Sequence, residues 1–186
     1  MKEDKRRLIE FYDTRFDCLG YSVEAAGWGS RESQELRICD LGCGFGDLYP
    51  YLWKRFRKVD YLGIDLSEKL VAEARRRHPD AEFLVLDILE SGVERNFDYV
   101  LSSGALTFKM RNHRAYVERV LRRMYEMAGN AVAVNFLDTD VDYELEKNFH
   151  FPRQEALALA ESIAGSVKLR SDYPLREFTL YMYHEQ

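Results

Sequence analysis

The sequence predicts an α/β fold, in which helices cover both faces of a mostly parallel sheet. Short apolar segments alternate with helical patterns from residue 36 onward, which is the order of successive β-α-β units. A glycine-rich turn, DLGCGFG at 40–46, follows the first apolar segment, and acidic residues follow the next two. The 186 residues suffice for a sizeable core, and no linker or repeat divides them. We therefore expect a single domain over 1–186.

Seven strands are predicted from short runs of apolar and β-branched residues. They cover 36–41, 61–65, 82–86, 97–101, 131–136, 166–172 and 177–184. Helical patterns separate most of the first five strands, which favours parallel pairing. Only a short turn around Tyr173 and Pro174 separates the last two strands, so we expect these two to pair antiparallel.

Four helices are predicted from apolar residues that recur at three- and four-residue steps. They cover 46–57, 68–77, 112–128 and 152–164. Ser67 stands where a side-chain cap begins the second helix, and Pro152 opens the fourth. Gly129 and Asn130 are predicted to end the third helix. A further helical start, at 6–16, precedes a loop in the N-terminal extension.

Composition and charge exclude several classes of function. The formal net charge is −5, whereas binding of nucleic acid requires a basic surface, so no nucleic-acid partner is expected. No apolar run approaches the roughly 18–20 residues of a membrane span, so no membrane partner is expected either. The first ten residues, MKEDKRRLIE, have no apolar signal core, which favours a cytoplasmic location. The three cysteines form no CxxC pair, and no metal site is predicted from them.

Glycines and acidic residues follow the first two strands, at the edge where doubly wound sheets bind their ligands. Asp40 precedes Gly42, Gly44 and Gly46, and glycines in such a turn allow a ligand to touch the backbone. Asp65 ends the second strand, about 20 residues further on, which is the spacing of a carboxylate that binds ribose hydroxyls. The turn and Asp65 together indicate a nucleoside.

Asp87 follows the third strand and indicates which base this nucleoside carries. A carboxylate in that position accepts a hydrogen bond from an exocyclic amine such as that of adenine. Leu66 and Ile88, next to the two carboxylates, are expected to supply apolar faces for a flat base. The three strand ends therefore predict an adenosine-containing cofactor.

The residue after the glycine turn separates the adenosine cofactors. A dinucleotide-binding turn has a third glycine where this chain has Asp47, and a carboxylate is badly suited to a pyrophosphate at a helix N-terminus. No GxxxxGK[ST] pattern is present, which excludes a P-loop. A cofactor without phosphates and with a positive centre fits better. S-adenosylmethionine (SAM) has adenine, ribose, a sulfonium and an amino-acid tail.

These motifs resemble those of the class I SAM-dependent methyltransferases, over nearly the whole of 36–184. The resemblance is carried by Asp40-x-Gly42-x-Gly44-x-Gly46, Gly63-Ile64-Asp65-Leu66-Ser67, Leu86-Asp87-Ile88 and Phe97-Asp98-Tyr99-Val100. It implies a Rossmann-like sheet of seven strands with the last strand inserted antiparallel and helices on both faces, an α-β-α sandwich. It also implies methyl transfer from SAM by in-line displacement, with S-adenosylhomocysteine (SAH) as the product.

The resemblance further implies a role for each site residue. Asp40 and the turn of Gly42, Cys43, Gly44 and Gly46 face the methionine end of SAM; Asp65 faces the ribose; Asp87 and Ile88 face the adenine; and Ser102, Ser103 and Gly104 lie near the sulfonium. In this family an N-terminal extension often covers SAM, so residues 1–35 are interpreted as a helical extension with Tyr12 and Trp28 reaching the cofactor. The same aromatic residues equally fit a helix that packs on the core.

The methyl acceptor has no motif of its own. The tetrapeptide [DN]-P-P-[YF], the mark of amino-group methylation in this family, is absent after the fourth strand, and a small-molecule acceptor is predicted. His113 and His150 are the candidate general bases, needed only if the acceptor must lose a proton. Two other classes stay open: a non-catalytic protein that binds SAM or a nucleotide, and an NAD-dependent oxidoreductase.

Three aspartates with alternate spacing follow the fifth strand, at Asp138, Asp140 and Asp142. Neither a glycine nor a closing glutamate completes a calcium loop there. We interpret them as a solvated loop rather than a cation site.

Overall fold

The computed structural model describes residues 35–56, 58–142 and 144–184. Its strands are β1 (Leu36–Leu41), β2 (Val59–Asp65), β3 (Glu82–Val85), β4 (Phe97–Ser102), β5 (Ala128–Asp138), β6 (His150–Phe151), β7 (Ser166–Arg170) and β8 (Glu177–Tyr183). Its helices are α1 (Leu48–Arg55), α2 (Glu68–Arg77), α3 (His113–Met127) and α4 (Arg153–Glu161), with one 3-10 turn at Ala105–Thr107. No helix within these ranges has the length and hydropathy of a membrane span. The predicted helix at 6–16, Tyr12 and Trp28 lie outside the described residues.

The sheet has the order β3-β2-β1-β4-β5-β8-β7. All neighbours along this path are parallel except at β8, which runs antiparallel to both β5 and β7. Both the mostly parallel sheet and the antiparallel last strand are confirmed. The turn between β7 and β8 is too short for a crossover, so the chain must reverse direction there.

The short strand β6 was not predicted, and its position matters for the site. It pairs in parallel with the end of β5, with Leu137 opposite His150, whereas β4 pairs with β5 only as far as Ser102 opposite Val134. Leu137 pairs with β8 on its other side, so β6 lies on the same side of β5 as β4. It therefore continues the line of β4 beyond the carboxyl end, about 10 Å further along the sheet at the usual rise per residue.

The capping signals are confirmed at two helix starts. The Ser67 hydroxyl accepts a hydrogen bond from the Leu70 N–H at 3.4 Å, and Pro152 occupies the N-cap of α4. The first helix begins at Leu48 rather than at residue 46, because Gly46 has a φ of +75° and lies outside helical backbone space.

The helix α3 ends at Met127, one residue before its predicted end, but Gly129 and Asn130 do not cap it, because both residues lie in β5. Ala128 is already extended and pairs with Phe97, so the chain passes from α3 directly into the strand. A Cβ at Gly129 would lie 3.3 Å from the Phe97 carbonyl oxygen. This glycine therefore allows a close approach between strands instead of ending the helix.

Two hydrophobic clusters cover the faces of the sheet. The larger includes Val117 and Leu121 of α3 and Ala160 of α4, and the smaller includes Leu52 of α1 and Val71 of α2. Alternate residues of β1 and β2 point into one cluster or the other, which is the pattern of strands buried on both faces. The helices thus cover the faces and leave the carboxyl edge of the sheet for a ligand.

Candidate functional site

The glycine turn after β1 is held against the end of β2. The N–H groups of Gly42 and Cys43 both donate to the Ile64 carbonyl, at 2.7 and 3.1 Å, and the Gly46 N–H donates to the Cys43 carbonyl at 2.9 Å. Gly42, Gly44 and Gly46 all have positive φ, between +55° and +75°. The backbone therefore turns sharply twice, a path that residues with a Cβ adopt only with strain.

The glycines of the site perform different tasks. A Cβ at Gly42 would lie 2.2 Å from the Cβ of Ala105, and one at Gly46 would lie 2.6 Å from the ring of Phe83. In contrast, a Cβ at Gly44 or at Gly104 would meet no atom of the described residues within 4 Å. Two glycines thus allow tight packing of the turn, and the other two border open space at the carboxyl edge.

Asp65 fixes the glycine turn to the end of β2. One carboxylate oxygen accepts the Gly44 N–H at 3.0 Å and the other accepts the Ser67 N–H at 2.9 Å. A carboxylate has about four acceptor sites, so both oxygens can accept further hydrogen bonds. The neighbouring Leu66 is 64% exposed and offers an apolar surface beside this carboxylate.

Asp40 is a buried carboxylate, and among the described residues no cation pairs with it. Its side chain is enclosed at 4% exposure and accepts a hydrogen bond from the Tyr61 hydroxyl at 2.7 Å. The pKa of Asp40 is raised to about 6: burial and, to a smaller extent, the Asp65 carboxylate raise it, and the Tyr61 hydrogen bond opposes them. The electrostatics at this strand end therefore favour binding of a positively charged group.

After β3, the structure leaves Asp87 without the apolar face that the sequence predicted from Ile88, because that side chain is buried. One Asp87 oxygen accepts the Leu89 N–H at 2.8 Å, while the side chain of Ile88 is only 5% exposed and packs in the larger cluster. Burial raises the pKa of Tyr116 in α3, and the nearby Asp87 carboxylate raises the pKa of this tyrosine further. No sequence motif marks Tyr116, because its proximity depends on how α3 packs.

The loop after β4 closes the other side of the turn. Ser102 is 4% exposed and its Oγ has no hydrogen-bond partner among the described residues, while Ser103 is exposed. The Gly104 N–H donates to Asn135 Oδ1 at 2.8 Å, and the Gly104 carbonyl accepts the Thr107 hydroxyl at 2.7 Å. Asn135 was not singled out by the sequence, since nothing local to β5 marks it.

His113 lies at the start of α3 and is held by its surroundings. Its ring stacks on Phe149 with centroids 4.2 Å apart, and its Nδ1 accepts the Met110 N–H at 3.3 Å. The side chain is 4% exposed, and burial lowers its pKa. A neutral ring whose Nδ1 is an acceptor carries its proton on Nε2, so its basic lone pair is already bound by the loop.

His150 has the opposite arrangement. Its Nδ1 lies 2.6 Å from the Asp138 carbonyl oxygen, and since a carbonyl only accepts, Nδ1 is the donor. The basic lone pair of the neutral ring is then on Nε2. His150 stands on β6, in line with β4 and beyond Ser102. The structure thus separates two histidines that the sequence treated alike.

The prediction of a solvated loop is wrong for Asp138. This residue is 3% exposed, and its carboxylate accepts a hydrogen bond from Arg153 Nε at 2.5 Å. Asp140 and Asp142 are exposed, as expected. Asp138 ends β5, a strand that continues two residues beyond its predicted end, and this extra length carries it into the interior.

Comparison with known proteins places this chain in a family. A methyltransferase-domain profile matches residues 38–129. A Mycobacterium tuberculosis protein, Rv1506c, whose assigned name is that of a methyltransferase, is 30% identical over 153 residues, which cover 77% of this chain and 90% of that protein. The trans-aconitate 2-methyltransferase of Methylobacterium nodulans is 31% identical over 55% of this chain, but the match spans only 38% of that enzyme.

The fold agrees with these relatives. The SAM-bound magnesium protoporphyrin IX methyltransferase of Synechocystis superposes with a TM-score of 0.66 and 15% identity, covering 92% of this chain and 80% of that one. The chain belongs to the class I SAM-dependent methyltransferases, and its cofactor is SAM. Membership in this family sets aside the NAD-dependent alternative. Asp47, at the N-cap of α1, instead lies 3.6 Å from the Arg77 guanidinium.

Proposed function

We propose that this chain, as one domain over 1–186, transfers the methyl group of SAM to a small-molecule acceptor. One observation carries the assignment of the cofactor site: the buried carboxylate of Asp40, which has no cation partner among the described residues, lies in the same glycine-rich turn as Gly44, which faces open space. SAM carries an ammonium and a sulfonium, and either positive group would compensate the Asp40 charge. The Oγ of Ser102, which has no hydrogen-bond partner in the part of the chain that the structure describes, is a further polar group suited to this ligand.

The proposed contacts follow the strand ends. Asp40 and the backbone of Gly42, Cys43, Gly44 and Gly46 hold the methionine end; Asp65 holds the ribose; Asp87, Ile88 and Leu66 hold the adenine; and Ser102, Ser103 and Gly104 line the region of the sulfonium. Tyr12 and Trp28 are proposed to cover the cofactor from the N-terminal extension. Because Ile88 is buried, its share of the adenine contact would come from its backbone.

The chain's own groups orient the reactants and exclude water. SAM supplies an electrophilic methyl group attached to a positively charged sulfur. Displacement on such a group depends mainly on alignment, and the glycine turn and the loop around Gly104 would provide it. His150 is proposed as the general base for acceptors that lose a proton, and His113 is proposed to hold the loop between β4 and α3.

The small-molecule acceptor is supported by the relatives and by charge. Trans-aconitate, the molecule in the name of one relative, is a small molecule. The net charge of −5 argues against nucleic acid as the acceptor.

Ligand-dependent thermal unfolding tests the proposal. SAM and SAH are each expected to raise the unfolding midpoint, because a ligand at 100 times its Kd stabilises the folded state by about 2.7 kcal/mol. NAD is not expected to bind and should leave the midpoint unchanged. Transfer of a labelled methyl group from SAM into a pool of small metabolites then measures turnover. A protein that responds to neither SAM nor SAH contradicts the proposed cofactor site. Binding with persistent absence of transfer would favour the non-catalytic alternative.

His150→Gln is expected to reduce methyl transfer about 100-fold or more to an acceptor that must lose a proton, with little change in SAM affinity. Glutamine keeps a side-chain N–H donor but has no basic nitrogen. His113→Gln is the matched control, and it should lower thermal stability because it disrupts the Phe149 stack. Initial rates with labelled SAM, together with unfolding midpoints, measure both effects. An unchanged rate for His150→Gln would remove it as the base.

A further inference from the structure

The amide of Asn135 is fixed from two sides. Its Oδ1 accepts the Gly104 N–H at 2.8 Å, and its Nδ2 donates to the Glu177 carboxylate. A backbone N–H only donates and a carboxylate only accepts, so one amide orientation satisfies both partners. Asn135 is 5% exposed, and a buried amide with both ends bonded is costly to replace.

The group that Asn135 holds belongs to the candidate site. Gly104 has a φ of +82° and faces open space, and its carbonyl is held by Thr107. The next residue, Ala105, packs so closely against Gly42 that a Cβ on the glycine would overlap its side chain. The loop after β4 and the glycine turn after β1 are therefore in direct contact, and a shift at Gly104 moves one wall of the site.

The hydrogen bonds from Glu177 to Asn135 to Gly104 link β8, β5 and the loop after β4. β8 is the strand inserted antiparallel, and Glu177 is its first residue. Along β5 and β8, Asn135 lies directly opposite Thr179, and Glu177 lies two residues from that position. On one face of an antiparallel pair such diagonal neighbours are within reach of long side chains.

We propose that Asn135 is a positioning residue for methyl transfer: it holds Gly104 at the distance from the glycine turn that SAM requires, and Glu177 sets the direction of its amide. This inference rests on the proposed function, in which Ser102–Gly104 line the region of the sulfonium. Neither residue touches the reacting atoms, so their effect passes through the position of Gly104.

Exchanging the amide of Asn135 and the carboxylate of Glu177 tests the proposal. In Asn135→Asp, one oxygen still accepts the Gly104 N–H, but the other meets the Glu177 carboxylate, and the repulsion displaces the side chain. SAM affinity is expected to fall about tenfold. In Asn135→Asp/Glu177→Gln, the glutamine amide donates to the new carboxylate, and SAM affinity should return to within about threefold of wild type. Glu177→Gln alone should bind SAM like wild type, because glutamine still accepts from Asn135.

Calorimetric titration with SAM, at a temperature where each variant is fully folded, measures these affinities. Tyr173→Phe is the control for loss of stability alone, since it removes a buried hydrogen bond to Thr179 on the same strand pair without touching Gly104. It should lower the unfolding midpoint and leave SAM affinity unchanged. A folded Asn135→Asp that binds like wild type overturns the inference.

The double variant decides the outcome if Asn135→Asp does not fold. A folded Asn135→Asp/Glu177→Gln with near wild-type affinity supports the inference, and one that binds SAM at least about tenfold more weakly overturns it. Failure of the proposed function is distinct, because wild type itself would then bind neither SAM nor SAH. That result overturns both proposals, whereas normal binding by wild type and all variants overturns only this one.

Discussion

Asp40→Asn is expected to weaken SAM binding about 10- to 100-fold and, in the absence of SAM, to make the protein more stable at pH 8. Both effects come from one property, a buried negative charge that has no cation partner among the described residues. Asparagine keeps the size of the side chain and an oxygen that accepts from Tyr61, but removes the charge. A positive group of SAM then loses its counter-charge.

The gain in stability has a defined pH dependence. The pKa of Asp40 is about 6 in the folded protein, above its value in the unfolded chain, so the folded state holds this proton more tightly. The contribution of Asp40 to the free energy of unfolding of wild type therefore falls as pH rises from about 4 to 6, and above pH 6 it is unfavourable by on the order of 2–3 kcal/mol. The difference between Asp40→Asn and wild type should be largest at pH 8 and small at pH 4.

Urea unfolding at these two pH values and calorimetric SAM titration at pH 8 measure the two effects. Asp142→Asn is the matched control, because that carboxylate is 90% exposed and should change neither quantity. A lower stability of Asp40→Asn at pH 8 would show that the charge is compensated in the folded protein. Unchanged SAM affinity would place the positive groups of the cofactor elsewhere.

Local patterns were sufficient for the elements that carry the site. Asp40, Asp65 and Asp87 follow apolar runs, and the run itself fixes where the chain leaves the sheet, so their convergence at one edge could be predicted. The antiparallel last strand could also be predicted, because a short turn around Tyr173 cannot make a crossover. Each of these inferences depends on residues close together in sequence.

The features that could not be predicted depend on contacts between residues far apart in sequence. Asn135 is 31 residues from Gly104 and 42 from Glu177, and nothing near it in sequence indicates either partner. The same limit applies to His113 and His150, because Nδ1 accepts a backbone N–H in His113 and donates to a backbone carbonyl in His150. Gly129 shows a different error: the helix ends where the local signal indicated, but this glycine lies in β5, which pairs with β4, and does not cap the helix.

The same substitution at two glycines of one turn is expected to affect mainly SAM affinity at Gly44 and mainly stability at Gly42. Gly44→Ala should leave the protein folded, at a cost of about 1–2 kcal/mol for a left-handed residue, because its Cβ enters open space. That space is where the cofactor is proposed to lie, so SAM affinity should fall about tenfold or more. Gly42→Ala should destabilise the protein by about 3 kcal/mol or more, since its Cβ overlaps Ala105.

Ala105→Gly provides the test of the packing half of this prediction. Combined with Gly42→Ala, it removes the overlapping Cβ and should recover about 1–2 kcal/mol, leaving the strain of the positive φ. Denaturant unfolding and SAM titration of the single and double variants measure stability and affinity separately. If Gly44→Ala binds SAM normally, the open space above the turn belongs to something other than the cofactor. If the double variant gains no stability over Gly42→Ala, backbone strain alone explains why Gly42→Ala is destabilising.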